Sequence, residues 1–387
     1  MMLYKIKSSK ISKIIMAFFS FSIMLISCTN NVSPVSTVSI TETPTSTKEP
    51  TIQPANTAST LDDQGDEGSI APIVISSRFD LDSRTEIENQ MLFTMFLDGT
   101  IQKQLTEFGV EYLDPRWSPD CKMITATMTY ETSDGRYVWK NGVVDLVTND
   151  IFEIPTPFEI NTSPSWSPDG RRIVFDANDG EIWQILTYNL DTGELIQITD
   201  EGINQDPDWS PTGDQIVYKS AITDVDIMAI HVMNADGSDQ REIVPSSWGS
   251  DLGDYDDPRL DTPRNPTWSP DGENIVFRVE EAIGEMRVSK LYITGIEEFS
   301  PQRLISGDRR KDNPDDPDFY YLSEFDPAWS PDGKQILYTR AQPSTKDDQL
   351  CIVNLANGEW SCQAEGSAVG FWGMDWCHKS DQDAIKD

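Results

Sequence analysis

The sequence predicts an all-β chain made of repeated four-stranded units, and three observations carry that expectation. Six tryptophans recur in one sequence context. Each context leads into an alternating strand and then a second hairpin signal, the pattern of antiparallel sheets. Beyond residue 30 no apolar run keeps a helical period for more than a couple of turns.

The contexts are Pro115-Arg116-Trp117-Ser118-Pro119-Asp120, Pro164-Ser165-Trp166-Ser167-Pro168-Asp169-Gly170, Pro207-Asp208-Trp209-Ser210-Pro211-Thr212-Gly213, Pro266-Thr267-Trp268-Ser269-Pro270-Asp271-Gly272, Pro327-Ala328-Trp329-Ser330-Pro331-Asp332-Gly333 and a reduced Met374-Asp375-Trp376-Cys377. They are spaced by 49, 43, 59, 61 and 47 residues, the length of a four-stranded blade with insertions. Ser-Pro-Asp-Gly suits a type I turn with Pro in its second place and Gly in the left-handed site that follows. The turn is therefore the hairpin between the first two strands of a unit. Runs such as Arg172-Ile173-Val174-Phe175 and Asn274-Ile275-Val276-Phe277 supply the second strand. Ile227 to Asn234, Ala235-Asp236-Gly237 and Gln240 to Val244 supply a third strand, a turn and a fourth. Leu97-Asp98-Gly99, Leu190-Asp191-Thr192-Gly193 and Leu355-Ala356-Asn357-Gly358 mark the same second hairpin in other units.

The two ends complement each other. Ile73 to Ser76, Met91 to Leu97 and Gln102 to Leu105 read as strands two to four of a unit with no Trp motif before them, whereas Trp376 opens a unit with nothing behind it. Pairing them predicts a six-bladed β-propeller over residues 71–387, its ring closed when the C-terminal strand joins the N-terminal blade, so that no sheet edge stays open.

These Asp-Pro-x-Trp-Ser-Pro-Asp-Gly units resemble the TolB-type, WD-like propeller repeat over nearly all of residues 72 to 378. The resemblance implies the fold and little about function, because this repeat serves envelope scaffolds, peptidase propellers and sugar-active proteins. TolB proper carries an α/β domain before its propeller. Here a Ser/Thr/Pro tract stands in that place, so the chain is not expected to be TolB itself.

At the N-terminus, Lys5, Lys7, Lys10 and Lys13 precede thirteen mostly apolar residues, Ile14 to Ile26, too few for a spanning helix and suited to a secretion signal. Leu25-Ile26-Ser27-Cys28 resembles the lipobox of bacterial lipoproteins, which implies cleavage after residue 27 and acylation of Cys28. From Thr29 to Thr60, 18 of 32 residues are Ser, Thr or Pro, so residues 28–70 are expected to form a tether that cannot offset its own ordering entropy. Forty such residues reach ~35 Å. The expected product is exported and lipid-anchored to the cell membrane or outer membrane, facing the periplasm or the exterior.

A net charge of −35 repels phosphate backbones, so nucleic acid is not an expected partner. Acidity also suits solubility or Ca²⁺. The residues three before each Trp are Asp114, Ser163, Asp206, Asn265, Asp326 and Gly373, placed where blades converge on the channel mouth. Three carboxylates on alternate blades are candidates for Ca²⁺ or a cationic ligand. The competing account is that each Asp accepts N–H bonds in its own loop.

Insertions at Pro245 to Arg264, Ser306 to Phe325 and Gly366 to Gly373 place Trp248, Tyr255, Tyr320, Tyr321 and Trp372 among acids on one predicted face. Such aromatics form either a binding patch or loop packing. Catalysis finds thin support: His231 and His378 are the only histidines, no Gly-x-Ser-x-Gly elbow occurs, and no cofactor is expected. With Cys28 acylated, Cys121, Cys351, Cys362 and Cys377 remain. Cys351 and Cys362 face each other across the Leu355 to Gly358 turn and could bridge. The function expected is a monomeric, non-enzymatic envelope scaffold that binds a protein or a glycan; the alternative is a carbohydrate-active enzyme working through paired carboxylates.

Overall fold

The computed structural model describes residues 73–79, 86–97, 99–107, 109–221, 228–246, 248, 263–283, 286–305, 323–341, 349–362 and 371–377. The chain divides into Met1–Thr37 and Val38–Asp387, and every described residue belongs to the second unit. The leader, Cys28, the tether, Tyr255, Tyr320, Tyr321 and His378 fall outside the described residues, as does the side chain of Trp372.

All regular structure among the described residues is β. The first three strands are β1 (Ile73–Phe79), β2 (Glu86–Met95) and β3 (Ile101–Gln104). Next come β4 (Glu111–Trp117), β5 (Met123–Glu131), β6 (Tyr137–Asp145), β7 (Ile151–Glu153), β8 (Ile160–Trp166), β9 (Arg172–Asn178), β10 (Trp183–Asn189) and β11 (Leu195–Gln197). They are followed by β12 (Ile203–Trp209), β13 (Gln215–Ala221), β14 (Ala229–Asn234) and β15 (Arg241–Val244), then by β16 (Arg264–Trp268), β17 (Asn274–Ile283), β18 (Met286–Gly295) and β19 (Gln302–Arg303). The last are β20 (Ser323–Trp329), β21 (Gln335–Ala341), β22 (Gln349–Asn354), β23 (Trp360–Cys362) and β24 (Phe371–Trp376).

These strands form four-stranded antiparallel meanders in a propeller-like arrangement. β12 to β15, β16 to β19 and β20 to β23 are each one sheet, while β4 to β7 and β8 to β11 are joined into an eight-stranded sheet through the parallel pair Trp139 and Ile160. The remaining sheet is assembled from both ends of the chain: β24 pairs antiparallel with β1, with Trp376 opposite Ile73 and Met374 opposite Ile75.

Each Ser-Pro-Asp-Gly segment forms the expected turn. The Gly170 N–H bonds the Ser167 carbonyl at 2.9 Å with Gly170 at φ 68°, and the same bond recurs at Gly213, Gly272 and Gly333. Cys121 occupies this left-handed site in the first motif, at φ 57°, bonding Ser118 at 2.9 Å. The Ser hydroxyl then accepts the N–H of the residue opening the next strand, at 2.9 Å from Met123, Arg172, Asn274 and Gln335. The turn therefore caps itself.

Period-two alternation divides the apolar side chains between the two faces of each sheet. On β9, Ile173, Phe175 and Ala177 face one neighbour and Val174 the other. Each apolar cluster thus lies between consecutive sheets and contains one motif tryptophan: Trp117 packs with Val74 and Leu92, Trp209 with Val174 and Ile185, Trp376 with Leu337 and Leu350. Trp166 and Trp329 also donate Nε1–H to the carbonyls of Arg116 and Thr267 on the preceding first strands, at 3.2 and 3.3 Å.

Candidate functional site

A bulge interrupts each first strand at the position three before its tryptophan. The ladder slips between Leu113 and Arg116, Thr162 and Ser165, Gln205 and Asp208, Arg264 and Thr267, and Phe325 and Ala328. Asp114, Ser163, Asp206, Asn265 and Asp326 all take φ between 48 and 52°, and Gly373 takes φ 95°. A short polar side chain tolerates that left-handed backbone by bonding locally. The bulge frees a carboxylate at this position to reach a neighbouring sheet.

The carboxylates use that freedom in a way the own-loop account does not describe. Asp206 Oδ2 accepts the Asn265 N–H at 3.4 Å and Asp326 Oδ2 the Gly373 N–H at 3.1 Å, so each caps the matching residue of the following sheet. The residues just before the tryptophans do the same one step along. Asp208 Oδ2 accepts the Trp268 N–H at 2.9 Å and Asp375 Oδ2 the Trp117 N–H at 2.7 Å. These side chains tie sheet to sheet through the backbone N–H groups that the bulges leave unpaired.

Charge is balanced among the same residues. Lys219 Nζ lies 2.9 Å from Asp206 Oδ2, and Asp176, fully buried on β9, accepts bonds from Thr162 Oγ1 and, at 2.8 Å, the Asp206 N–H. Burial works against ionisation of Asp206, but Lys219 and these N–H contacts outweigh it and hold the carboxyl below its ordinary range. Asp176 is pushed up, by burial first and by the Asp206 charge second. Asp114 is pushed up to about 7, by burial and then by the Asp326 charge, with Arg116 opposing. Gly373 stands between Asp326 and Asp114 in the order of the repeat and offers no side chain to separate them. Arg116 Nη1 is spent on the Pro115 and Met374 carbonyls, at 3.1 and 3.2 Å.

The three ring carboxylates do not make a Ca²⁺ site. Asp206 is neutralised by Lys219, Asp326 is engaged by a backbone N–H, and the described residues contain no group of three or more His, Cys, Asp or Glu placed to hold a metal ion. The residues therefore do not fit the cation that their spacing suggested.

Trp248 packs edge-on against Tyr292, Phe277 and Phe299, with ring centroids 4.9, 5.6 and 5.7 Å apart, which is loop packing. His231 is buried against Tyr218, ring centroids 5.7 Å apart, and burial pushes its pKa down; it is a core histidine. Cys351 is bonded to Cys362 across its hairpin, and Cys121 is bonded to Cys377, Cα atoms 5.7 Å apart.

A surface feature missed in the sequence lies where β6 meets β8. Tyr137 is 71% exposed, Trp139 40% and Ile160 36%. Tyr137 and Trp139 share a face of β6, and Ile160 is the cross-strand neighbour of Trp139. The signal in the sequence was Tyr137-Val138-Trp139, an aromatic pair at strand spacing.

Residues 83–252 match the TolB β-propeller domain family. No curated protein matches the sequence. Among solved structures the chain is similar to TolB from Acinetobacter baumannii, with 19% identity and a TM-score of 0.59 over 79% of this chain and 66% of that one. It is also similar to a putative TolB from Agrobacterium tumefaciens, with 16% identity and a TM-score of 0.53 over 79% and 92%. A chain of a nidogen/laminin complex matches at 11% identity and a TM-score of 0.54 over 80% and 100%. At these identities the likeness concerns the fold, and the chain spans about two thirds of the length of the Acinetobacter protein. The motif repeat, the family match over residues 83–252 and the fold agree in a likeness to TolB-type β-propellers.

Proposed function

We propose that this protein is an exported, lipid-anchored scaffold whose six-bladed, closed propeller holds a partner protein and performs no catalysis. The observation that carries the interaction reading is the exposed Tyr137, Trp139 and Ile160 surface. Large apolar side chains gathered in the open, rimmed by polar ones, mark docking sites. Its rim is acidic, with exposed Glu131, Asp134, Glu153 and Glu159 against Arg136, which bridges Asp134 and Glu159. A partner presenting apolar anchors among basic residues fits that rim.

The closed ring is supported by the packing of first strands. β4 contacts β8, β8 contacts β12, β12 contacts β16, β16 contacts β20, β20 contacts β24, and β24 contacts β4. The non-catalytic reading is supported by the engagement of Asp206, Asp208, Asp326 and Asp375, which are committed to N–H groups and to Lys219.

Crosslinking capture from native envelopes tests the docking surface. Tyr137→Ser with Trp139→Ser is expected to lose whatever the wild type retrieves while its melting temperature moves by no more than a few degrees; undiminished capture overturns the patch. Release of fragments from cell-wall or plant polysaccharides overturns the non-catalytic reading. Cys28→Ala is expected to move the protein into the soluble fraction, and a variant that still pellets with membranes removes the lipid anchor.

A further inference from the structure

The Cys121–Cys377 disulfide joins two departures from the repeat. Cys121 stands where four other motifs have Gly170, Gly213, Gly272 and Gly333, in a backbone conformation that glycine adopts more readily. Cys377 stands where the other motifs have the turn-capping serine. Either change alone removes a favourable feature of the motif. Together they make a covalent bond between residues 256 apart, from the end of β24 to the β4–β5 turn.

That bond lies at the one sheet whose strands come from opposite ends of the chain. β24 is six residues long and, among the described residues, pairs with β1 alone. It carries Met374, fully buried, and Trp376, 3% exposed, into the cluster shared with β21 and β22. Polar contacts across the seam to β4 are the Asp375 carboxylate on the Trp117 N–H and Arg116 on the Met374 carbonyl. A short strand held to its sheet along one edge frays readily unless it is tied. Cys351–Cys362, by contrast, spans 11 residues within a hairpin whose ladder stays paired without it.

We propose that Cys121–Cys377 is a redox latch on the closing strand: oxidised, it holds β24 in the first sheet, and reduced, it lets β24 leave. A dithiol reductant supplies the two electrons and two protons. Its thiolate attacks one sulfur of the bond, the other cysteine leaves as a thiolate and is protonated, and the second thiol of the reductant closes its own disulfide, leaving Cys121 and Cys377 as thiols. Cys121, half-buried and flanked by exposed Asp120 and Lys122, is the end that solvent approaches, whereas Cys377 is 2% exposed. The latch rests on the reading that β24 closes the ring.

Peptide-resolved hydrogen exchange on the full chain tests it, in a Cys351→Ala, Cys362→Ala background where Cys121–Cys377 is the disulfide under study. Reduction with dithiothreitol is expected to speed exchange in residues 371–377 roughly tenfold or more while β8 to β11 stay protected, and reoxidation should restore protection. The motif-restoring variant Cys121→Gly, Cys377→Ser should exchange fast at β24 whether or not reductant is present. The latch is overturned if β24 exchange ignores reduction, if the motif-restoring variant is as protected as the oxidised protein, or if protection collapses in every sheet together. Failure of the ring reading is recognised separately: a chain ending before Gly373 would then melt like the full-length protein, whereas a destabilised truncation with a redox-insensitive β24 sinks the latch alone.

Discussion

The sheet β24-β1-β2-β3 and the sheet β12-β13-β14-β15 share a first strand that ends on a buried tryptophan, yet they are made differently. The second comes from one stretch of chain, Ile203 to Val244, so each pairing closes a short loop. The first brings Phe371–Trp376 to Ile73–Phe79 across almost the whole domain. Its extra features gather at that join: a disulfide and the glycine at position 373. A side-chain carbon at Gly373 would sit 2.9 Å from Asp114 Cα and 3.0 Å from Pro115 Cδ, so the join admits nothing larger. Non-local pairing lacks the help of a short connection, and the sequence compensates with contacts that the contiguous sheets do without.

The strongest way to break this comparison is to remove the join. Ending the chain before Gly373 exposes the clusters that hold Met374 and Trp376, and removing large buried side chains of this kind costs about 2 to 5 kcal/mol each. The lost disulfide adds a term on the order of 5 kcal/mol on a chain-entropy account. The sum rivals the whole stability of an ordinary domain. Thermal unfolding should show a fall in melting temperature on the order of 10 °C or more. An unchanged melting curve would mean that β24 is an appendage and that the first sheet stands on three strands.

The next effect concerns the carboxylates beside the join. Asp114 and Asp206 occupy the same repeat position, but Asp206 has Lys219 and is held low, while Asp114 is pushed up to about 7 by burial first and by the Asp326 charge second. A carboxyl with a raised folded pKa holds its proton more tightly folded than unfolded. Its contribution is therefore complete below about pH 4 and is lost as the pH rises through about 7. Asp114→Asn should be more stable than wild type at pH 8, by up to about 4 kcal/mol, and equal to it near pH 4. Asp206→Asn should be less stable at pH 8, since it strands Lys219. The difference between wild type and Asp114→Asn against pH isolates the effect from His231, which acts in the opposite sense, its lowered pKa weakening the fold as the pH falls below about 6.5. A pH-independent difference would remove the Asp114 to Asp326 coupling.

The fold was legible because its information is local: each Trp-Ser-Pro-Asp-Gly sets a turn, a strand start and a buried ring within a dozen residues. The positions three before each tryptophan stood out for the same reason, though not the bulges formed there. What Asp206 and Asp326 do there was not, because the N–H groups that donate to them belong to the following sheet, about 50 residues away. Lys219, the cation paired with Asp206, was missed because it lies ten residues after its tryptophan, outside the motif, at a place where other units have Asp176 or Thr339. Cys121–Cys377 needed two inferences at once, that the ring closes and that both cysteines replace motif residues. The Tyr137 and Trp139 surface was not legible because an aromatic pair at strand spacing reads equally as a buried face, and its exposure depends on how β6 meets β8.

The finest comparison uses one contact present at both kinds of seam. Asp375 caps the Trp117 N–H across the join at 2.7 Å, and Asp208 caps the Trp268 N–H between contiguous sheets at 2.9 Å. Replacing either with Ala leaves a buried N–H without its acceptor, which costs about 1 to 3 kcal/mol. With the disulfides intact the two variants should fall alike, because the bond keeps β24 beside β4 whether or not the cap is present. Under reduction they should part. Cap and disulfide hold the same short strand, so their removals couple, and the coupling between such neighbours is about 0.5 to 3 kcal/mol. Asp208 shares its seam with no disulfide, and its Ala variant should lose the same amount in both redox states. Denaturant unfolding of both variants and wild type, oxidised and reduced, measures the cycle. Equal losses for Asp375→Ala in both states would show that the cap and the disulfide act independently, and the join would then differ from the other seams only in its connectivity.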